Sequence, residues 1–174
     1  MEKVNVRKQD EILMSLVHYF VTKEGYAPIY VQGVKDEIWL ENIDGPYRII
    51  RINSNYIHNE EQYKYDEVKI RNIMGQIKKK TLSFKVNTLN INLNVSDRVK
   101  VESEKNIDNV FVKDIDEIKK NKEINEVFPN MKNDLYQSKN SLDLLLNVTN
   151  DINKKTETDN KKYEKIFSRK KILI

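Results

Sequence analysis

One short segment of the sequence combines a histidine with carboxylates, the side chains that often bind divalent metal ions. His58 is followed by Glu60 and Glu61, and imidazole nitrogen and carboxylate oxygen are both common metal ligands. Their spacing matches no established metal motif. The same residues would also suit the exposed first turn of a helix, where carboxylates interact favourably with the helix dipole. We therefore keep a divalent cation at His58, Glu60 and Glu61 as one prediction and a surface helix start as the alternative.

A second group of oxygen ligands lies earlier in the chain. Asp36, Glu37, Glu41 and Asp44 crowd one predicted hairpin. Hard cations such as Mg²⁺ and Mn²⁺ prefer oxygen ligands of this kind. A cation site is therefore one interpretation of the hairpin, and an exposed acidic hairpin without a ligand is the other.

The residues needed for covalent catalysis are largely missing from the sequence. It contains no cysteine and no Gly-x-Ser-x-Gly segment, so neither a thiolate nor a serine at a strand-to-helix turn is available as a nucleophile. The two histidines, His18 and His58, fall in different predicted elements, and the four glycines form no phosphate-binding loop. We predict no catalytic site in this chain and no cofactor beyond the divalent cation considered above.

Periodicity and turn signals place these residues on a series of helices and strands. Apolar residues from Asp10 to Glu24 recur every three or four positions, which predicts a helix that ends at Gly25. Asn59 is a suitable N-cap for a long helix that continues to about Lys80. From Thr88 to Val95, apolar residues alternate with Asn, which predicts a strand with one buried face. The other predicted strands are Ala27 to Val34, Glu37 to Asn42, Tyr47 to Asn53 and Asn109 to Lys113, and the other predicted helices are Asp97 to Lys105, with Ser96 as N-cap, and Glu117 to Phe128 before Pro129.

These elements predict an α/β (α+β) domain, with a mixed sheet of about five strands and helices packed on it, in the order α-β-β-β-α-β-α-β-α. The first part of that order, α-β-β-β-α-β, resembles the restriction-endonuclease-like fold. The resemblance implies a catalytic metal held by an acidic residue on one strand and an acid-x-Lys pair on the next. Here the corresponding strand is Arg48-Ile49-Ile50-Arg51, with apolar residues where acids would be required. Nuclease activity is therefore not supported, even if the fold is of this type.

The positive charge of the chain is concentrated near its end. Residues 1–129 carry 21 Lys and Arg against 21 Asp and Glu, and residues 130–174 carry 10 against 6. We predict a globular α/β domain over 1–131, a polar helical linker over 132–168 and the basic start of a truncated transmembrane segment over 169–174. Basic residues before an apolar segment are typical of a helix that enters the membrane from the cytoplasm, and they bind anionic membrane surfaces. The predicted membrane-surface residues are Lys161, Lys162, Lys165, Arg169, Lys170 and Lys171, which precede Ile172, Leu173 and Ile174.

Four distinctive sequence words occur in order along the chain. They are Asp36-Glu37-Ile38-Trp39-Leu40-Glu41, Arg48-Ile49-Ile50-Arg51, Leu89-Asn90-Ile91 and Glu126-Val127-Phe128-Pro129. They resemble the N-terminal extramembrane domain of rhomboid-family intramembrane serine proteases from low-GC Gram-positive bacteria. The resemblance implies a non-catalytic regulatory or adaptor domain at the cytoplasmic face of the cell membrane, joined to the membrane core of the same polypeptide. That core would cleave transmembrane protein substrates with a Ser-His pair outside this chain. Sensing of a ligand or divalent cation, presentation of substrates and binding of partner proteins are the roles that the resemblance leaves open.

Two further hypotheses use other features of the sequence. Lys78, Lys79, Lys80 and Lys85 form a basic patch that would suit a degenerate nuclease-like nucleic-acid-binding domain. A basic helix C-terminus explains the same residues, and the rhomboid hypothesis predicts no nucleic-acid partner. The third hypothesis is a protein-interaction domain with no link to a membrane.

Overall fold

The helices and strands lie close to the positions that sequence periodicity predicts. A computed structural model describes residues 8–34, 36–82, 85–100 and 102–135. The strands are β1 (Ala27–Ile29), β2 (Glu37–Glu41), β3 (Ile49–Asn53), β4 (Thr88–Asn92) and β5 (Ile107–Phe111). The helices are α1 (Lys8–Lys23), α2 (Glu60–Thr81), α3 (Ile115–Lys120), α4 (Lys122–Val127) and α5 (Met131–Asp134).

The five strands form one mixed sheet in the order β1-β2-β3-β4-β5. The pairs β1–β2 and β2–β3 are antiparallel, as the predicted hairpin requires. The pairs β3–β4 and β4–β5 are parallel. Parallel neighbours need a crossover, and α2 supplies it between β3 and β4. The predicted fold class, a mixed sheet of about five strands with packed helices, is confirmed.

The long helix α2 begins after its predicted N-cap and ends one residue beyond the predicted end at about Lys80. The Asn59 side chain accepts a hydrogen bond from the Gln62 N–H, which caps the first turn. At the other end Leu82 adopts a left-handed conformation with a φ of 54°, and its N–H bonds to the Lys78 carbonyl. The helix packs on the sheet through one buried stripe. Its members are Tyr63, Ile70, Ile73, Met74 and Ile77.

Both faces of the sheet are covered, because α2 lies on one and α1 on the other. On the α1 side, apolar residues of β2 to β5 such as Leu40, Ile50 and Leu89 join one core cluster. On the α2 side, Trp39 and Ile49 pack with residues of α2. The prediction that the fourth strand has only one buried face is therefore wrong. Its asparagines, Asn90 and Asn92, lie on the face that α2 covers, and both are buried.

The predicted short helix at Asp97 to Lys105 is also wrong. The described residues of this segment form turns and extended chain, and they run beside α2. The Lys100 N–H donates to Glu60 Oε1 at 2.7 Å, and the Tyr63 hydroxyl lies 3.4 Å from the Glu102 carbonyl. An extended chain advances about 3.3 Å per residue and a helix about 1.5 Å. Contacts with successive turns of α2 therefore require the extended form.

The single helix predicted from Glu117 to Phe128 is two short helices. Asn121 ends α3 and also caps α4, because its side chain accepts the Ile124 N–H at 2.9 Å. Beyond the predicted domain boundary at 131, the packed chain continues to Leu135, which is buried against the α1 side. Most of the predicted linker at 132–168 lies outside the described residues.

Candidate functional site

The face of the sheet under α2 carries a row of buried polar side chains. The row consists of Glu37 on β2, Arg51 on β3, Asn90 on β4 and Asn109 on β5. Arg51 pairs in register with Asn90, and Asn90 with Asn109. None of the four is more than 5% exposed. Polar groups are costly to bury unless they are hydrogen-bonded. The row is therefore the first place to look for a functional site.

Arg51 lies at the centre of the row and is completely buried. Its Nη1 and Nη2 atoms donate to the two carboxylate oxygens of Asp66 on α2, both at 2.8 Å. Nη2 also donates to Glu37 Oε2 at 2.7 Å, and Nη1 to Asn90 Oδ1 at 3.0 Å. The guanidinium carbon is 5.8 Å from the centre of the Trp39 ring. This set of contacts requires the planar fork of arginine, which lysine does not offer.

Lys69 on α2 completes an ionic cluster of Glu37, Arg51, Asp66 and Lys69. The Lys69 Nζ atom is 2.7 Å from Glu37 Oε2 and 3.6 Å from Asp66 Oδ1. Burial alone would raise the pKa of Glu37, but the charge and hydrogen bonds of Arg51 and the hydrogen bonds from Lys69 and Trp39 lower it. Burial likewise opposes the charge of Arg51, and Asp66 and Glu37 raise its pKa. Glu37 and Arg51 therefore stay ionised, and two cations balance two carboxylates.

Every carboxylate oxygen of the ionic cluster already accepts a hydrogen bond from within the domain. Both oxygens of Asp66 bind Arg51, and Glu37 Oε1 accepts the Trp39 Nε1–H at 2.9 Å while its Oε2 binds Arg51 and Lys69. In a nuclease of the kind suggested by the element order, the next strand would bring an acid and a lysine to this face. Here β3 brings Arg51 and Asn53. The arrangement fixes α2 on the sheet through paired carboxylates, and it lacks the second acid that the nuclease-like pattern places on this strand.

Amide-to-amide hydrogen bonds continue the row beyond the ionic cluster. Asn90 Nδ2 donates to Asn109 Oδ1 at 2.8 Å, and Asn109 Nδ2 donates to the Glu102 carbonyl at 2.7 Å. Asn53 Nδ2 donates to Asn92 Oδ1 at 3.0 Å. Within the described ranges, Arg51 Nε, Thr88 Oγ1 and Asn92 Nδ2 are buried on this face without a hydrogen-bond partner. The row thus links four strands to each other but is not fully satisfied, which reduces its net contribution to stability.

The acidic hairpin is exposed at Asp36 and Asp44 but buried at Glu37 and Glu41. Glu37 and Glu41 are 5% and 6% exposed. Glu37 belongs to the ionic cluster, and Glu41 Oε2 accepts the Arg48 Nε–H at 3.1 Å. Asp36 lies in the turn before β2 with a φ of 58°. The interpretation as an exposed hairpin is wrong for the two glutamates, because the strand turns both toward the covered face.

The predicted cation ligands His58, Glu60 and Glu61 lie at the start of α2. Glu60 Oε1 is occupied by the Lys100 N–H, and the His58 ring packs edge-on against Tyr56 with ring centres 4.3 Å apart. Among the residues that the structure describes, no three His, Cys, Asp or Glu side chains are grouped so that they could hold a metal ion. The three residues therefore match the alternative interpretation, a helix start with acidic residues in its first turn.

Two other predicted positions have ordinary structural roles. Lys78, Lys79 and Lys80 form the last turn of α2, where cations interact favourably with the helix dipole. His18 lies on α1 and, with Asp134, lines a cavity of about 290 Å³ between α1 and α5. Neither position brings a nucleophile and a base together.

The predicted membrane-surface residues lie outside the described part of the chain. Within that part, no helix has the length and apolar character needed to cross a membrane. The residues concerned are Lys161, Lys162, Lys165, Arg169, Lys170 and Lys171.

A pair of carboxylates that the sequence alone does not single out joins α2 to the chain before β5. Glu67 on α2 is hydrogen-bonded with Glu104 and with Tyr63, and Arg71 forms an ion pair with Glu104. Burial and the hydrogen bond with Glu104 raise the pKa of Glu67 from 4.5 to about 7. The hydrogen bond from Arg71 lowers the pKa of Glu104. The helical spacing of Tyr63, Glu67 and Arg71 would have placed them on one face, but their partner comes from the segment that was predicted as a helix.

Replacing Glu67 with glutamine should remove a pH dependence of stability. Because the folded-state pKa of Glu67 is raised, its contribution is present below about pH 4.5 and is lost as the pH rises through about 7. The Glu67→Gln amide is neutral at every pH. We expect the free energy of unfolding of Glu67→Gln to exceed that of the wild type by about 1 kcal/mol at pH 8. The figure is discounted because solvent screens this partly exposed group. Urea unfolding at pH 4.5 and 8 tests this, with exposed Glu61→Gln as the control. A difference that is the same at both pH values would contradict it.

Comparison with known proteins adds no relative. No model of a known protein family matches the chain, and no curated protein matches it. The class of the protein is therefore defined by its fold, an α/β domain with a mixed five-stranded sheet between helices. The rhomboid resemblance stays a prediction, and the function is argued from the residues.

Proposed function

We propose that this chain is a non-catalytic regulatory or adaptor domain of a rhomboid-type intramembrane serine protease, placed at the cytoplasmic face of the cell membrane. The observation that carries the non-catalytic part is the ionic cluster. It fills the sheet face on which a nuclease-like domain would hold its metal, and its carboxylates are already bound by Arg51, Lys69 and Trp39. Because α2 covers this face, its described residues serve to pack the helix on the sheet, and partners would bind other surfaces of the domain.

The sequence words behind the rhomboid resemblance coincide with the ionic cluster and the core. The first word supplies Glu37 and Trp39 on β2, the second supplies Arg51 on β3, and the third supplies Asn90 on β4. The fourth supplies Phe128, which is fully buried. The words therefore include the residues that set how α2 and the sheet pack.

The basic residues from Lys161 to Lys171 support the membrane part of the proposal. Six cations there oppose one carboxylate, Glu164, whereas residues 1–129 are balanced. Near an anionic membrane surface each Lys or Arg contributes about 1 kcal/mol. We propose that these residues hold the domain against anionic lipid, next to the membrane core of the same polypeptide and its transmembrane substrates or partner proteins. Sensing of a small ligand or divalent cation would then be passed to that core.

Replacing Lys161 and Lys162 with glutamine should weaken binding of the 174-residue chain to anionic vesicles about 30-fold, since two contributions of about 1 kcal/mol are lost. The measurement is vesicle flotation with phosphatidylcholine containing phosphatidylserine, at two salt concentrations. The matched control is Lys78→Gln with Lys79→Gln, which makes the same charge change on the folded domain. Binding should weaken with salt, and the control should bind like the wild type.

If both double variants lost vesicle binding equally, the result would contradict a dedicated membrane-binding segment at Lys161 to Lys171. The second candidate function, nucleic-acid binding, is favoured by the exposed lysines at the end of α2. It predicts the reverse result, with loss of DNA or RNA binding only in the Lys78→Gln, Lys79→Gln protein. Reading the parent gene past Ile174 is an independent test. Several apolar segments with a Gly-x-Ser motif and a later His would support the proposal, and a stop codon would sink it.

A further inference from the structure

A crevice opens at the carboxyl ends of the parallel strands β4 and β5. The chain leaving β4 turns toward α2, where Val95 and Val99 pack with Tyr63. The chain leaving β5 turns toward α1, where Val112 and Ile115 join the core of that face. When neighbouring parallel strands send their connections to opposite faces, a gap is left between them, and open α/β sheets bind ligands in that gap. The topology alone therefore makes this end of the sheet a candidate ligand site.

The crevice has a defined floor and a cavity of about 460 Å³. Gln9 on α1 forms part of the floor, because its Nε2 donates to the Leu93 carbonyl at 2.7 Å and to the Lys113 carbonyl at 3.0 Å. One amide thus bridges the segment after β4 and the segment after β5 and holds them apart at a fixed distance. The volume falls in the range of small-molecule sites.

The lining of the cavity is polar and carries more positive than negative charge. Arg98 and Lys113 face it together with one carboxylate, Asp97. Lys113 Nζ is bound to that carboxylate at 2.6 Å. The Arg98 guanidinium makes no ion pair or hydrogen bond within the described ranges, although its backbone N–H lies 3.3 Å from Ser96 Oγ. The arginine is therefore the cation available to a ligand.

Three further side chains provide hydrogen-bonding groups around Arg98. They belong to Tyr56, Asn94 and Ser96, which line the cavity, and the Asn94 amide also donates a long hydrogen bond of 3.4 Å to the Ser54 carbonyl. Tyr56 is 42% exposed, so its ring offers an open surface at the rim. A guanidinium surrounded by hydroxyl and amide groups is suited to a carboxylate or phosphate group attached to a small polar body.

We infer that this crevice binds a small organic anion, with Arg98 contacting its carboxylate or phosphate group and Tyr56, Asn94 and Ser96 binding the rest of the molecule. The inference names the ligand class for the sensing role proposed above and rests on that proposal for its biological meaning. Binding itself depends only on the described residues. Asp97 limits the affinity, because it neutralises Lys113 at the same site.

The test is a titration of the ¹⁵N-labelled 174-residue chain with inorganic phosphate and, separately, with succinate, at constant ionic strength. Saturable shifts of the Asn94, Ser96 and Lys113 amides are expected with at least one of the two probes. The probe that binds more tightly identifies whether a phosphate or a carboxylate is preferred. Shifts that fail to saturate with both probes would overturn the inference.

Two variants test the assigned roles in the same titration. Arg98→Gln should weaken binding about tenfold, since a charge-assisted contact is lost, and Lys78→Gln should bind like the wild type. Asp97→Asn should tighten binding, because it releases Lys113 to the anion. Unchanged affinity in Arg98→Gln, or weaker binding in Asp97→Asn, would overturn the anion assignment. Neither result affects vesicle binding through Lys161 and Lys162, so failure here is distinguishable from failure of the proposed function.

Discussion

Replacing Arg51 with methionine should lower the free energy of unfolding by about 3–5 kcal/mol. The substitution keeps most of the side-chain volume but removes the guanidinium that binds Asp66 and Glu37. Glu37 is almost fully buried, and Lys69 alone would then face both carboxylates. Loss of one partner from a buried ionic cluster leaves uncompensated charge in a medium of low dielectric constant. Urea unfolding at pH 7, followed by circular dichroism, measures the effect.

Two controls separate this mechanism from a general loss of packing. Lys64→Met removes a charge from an exposed position of α2 and should change stability by less than about 0.5 kcal/mol. Arg51→Lys keeps the positive charge but not the planar fork, so it should still destabilise, by roughly half as much. A loss of under 1 kcal/mol in Arg51→Met would show that the cluster contributes little to holding α2 on the sheet.

The pH dependence gives the same prediction a second signature. In the wild type the folded-state pKa of Glu37 is lowered, so its stabilising contribution is present above about pH 4.5 and is lost as the pH falls through the lowered value. Without Arg51 that contribution is absent, and the buried carboxyl favours its neutral form. The deficit of Arg51→Met should therefore be largest at neutral pH and smaller at about pH 4. A deficit that is independent of pH would point to packing instead of charge.

The ionic cluster also explains how the domain keeps one packing arrangement of α2 on the sheet. Arg51, Asp66 and Lys69 have suitable partners only when α2 crosses β2 and β3 at the observed position. A helix shifted by one turn would leave charges buried without partners, which costs several kcal/mol. An apolar interface would tolerate such a shift more easily. We therefore expect the cluster to specify the geometry of the sheet end at which the anion site opens.

Much of the fold is predictable because its signals are local. Asn59 caps α2 and Gly25 follows α1, and both boundaries depend only on neighbouring residues. The alternation of Leu89 and Ile91 with asparagine predicts β4 for the same reason. The segment from Asp97 to Lys105 has no local reason to be extended. Its form depends on contacts with α2 that are distant in sequence, such as Lys100 with Glu60, so a local pattern favoured a helix wrongly.

The candidate site could not be predicted in the same way, because its members come from three elements. Glu37, Arg51 and Asp66 are brought together only by the pairing of β2 with β3 and by the position of α2. Asn90 and Asn92 mislead for a related reason. Asparagine alternating with apolar residues normally marks a solvent-facing side of a strand, but here the amides bond to one another and to Arg51 under α2. The sequence signal that could have indicated the cluster is the presence of charged residues, Glu37 and Arg51, inside strands that are otherwise apolar.

Replacing Phe128 with alanine should lower the free energy of unfolding by about 3–5 kcal/mol. Phe128 is fully buried at the end of α4, and its ring centre lies 5.2 Å from Phe20 on α1, 6.2 Å from Tyr26 and 6.3 Å from Tyr47. It is thus a central contact between the C-terminal helices, α1 and the residues that precede β1 and β3. Alanine would leave a cavity that these rings cannot fill, since the Tyr26 hydroxyl is itself fixed to the Tyr47 carbonyl at 2.6 Å.

The elements that lose stability in Phe128→Ala show whether Phe128 mainly holds the C-terminal helices or supports the whole core. Phe128→Leu keeps most of the volume and should cost only about 1 kcal/mol. In Phe128→Ala, amide hydrogen exchange should accelerate first in α4 and α5, while β3 and β4 stay protected, because short helices at the edge of the core open before its central strands do. Uniform acceleration across the domain would mean that Phe128 stabilises the whole core equally.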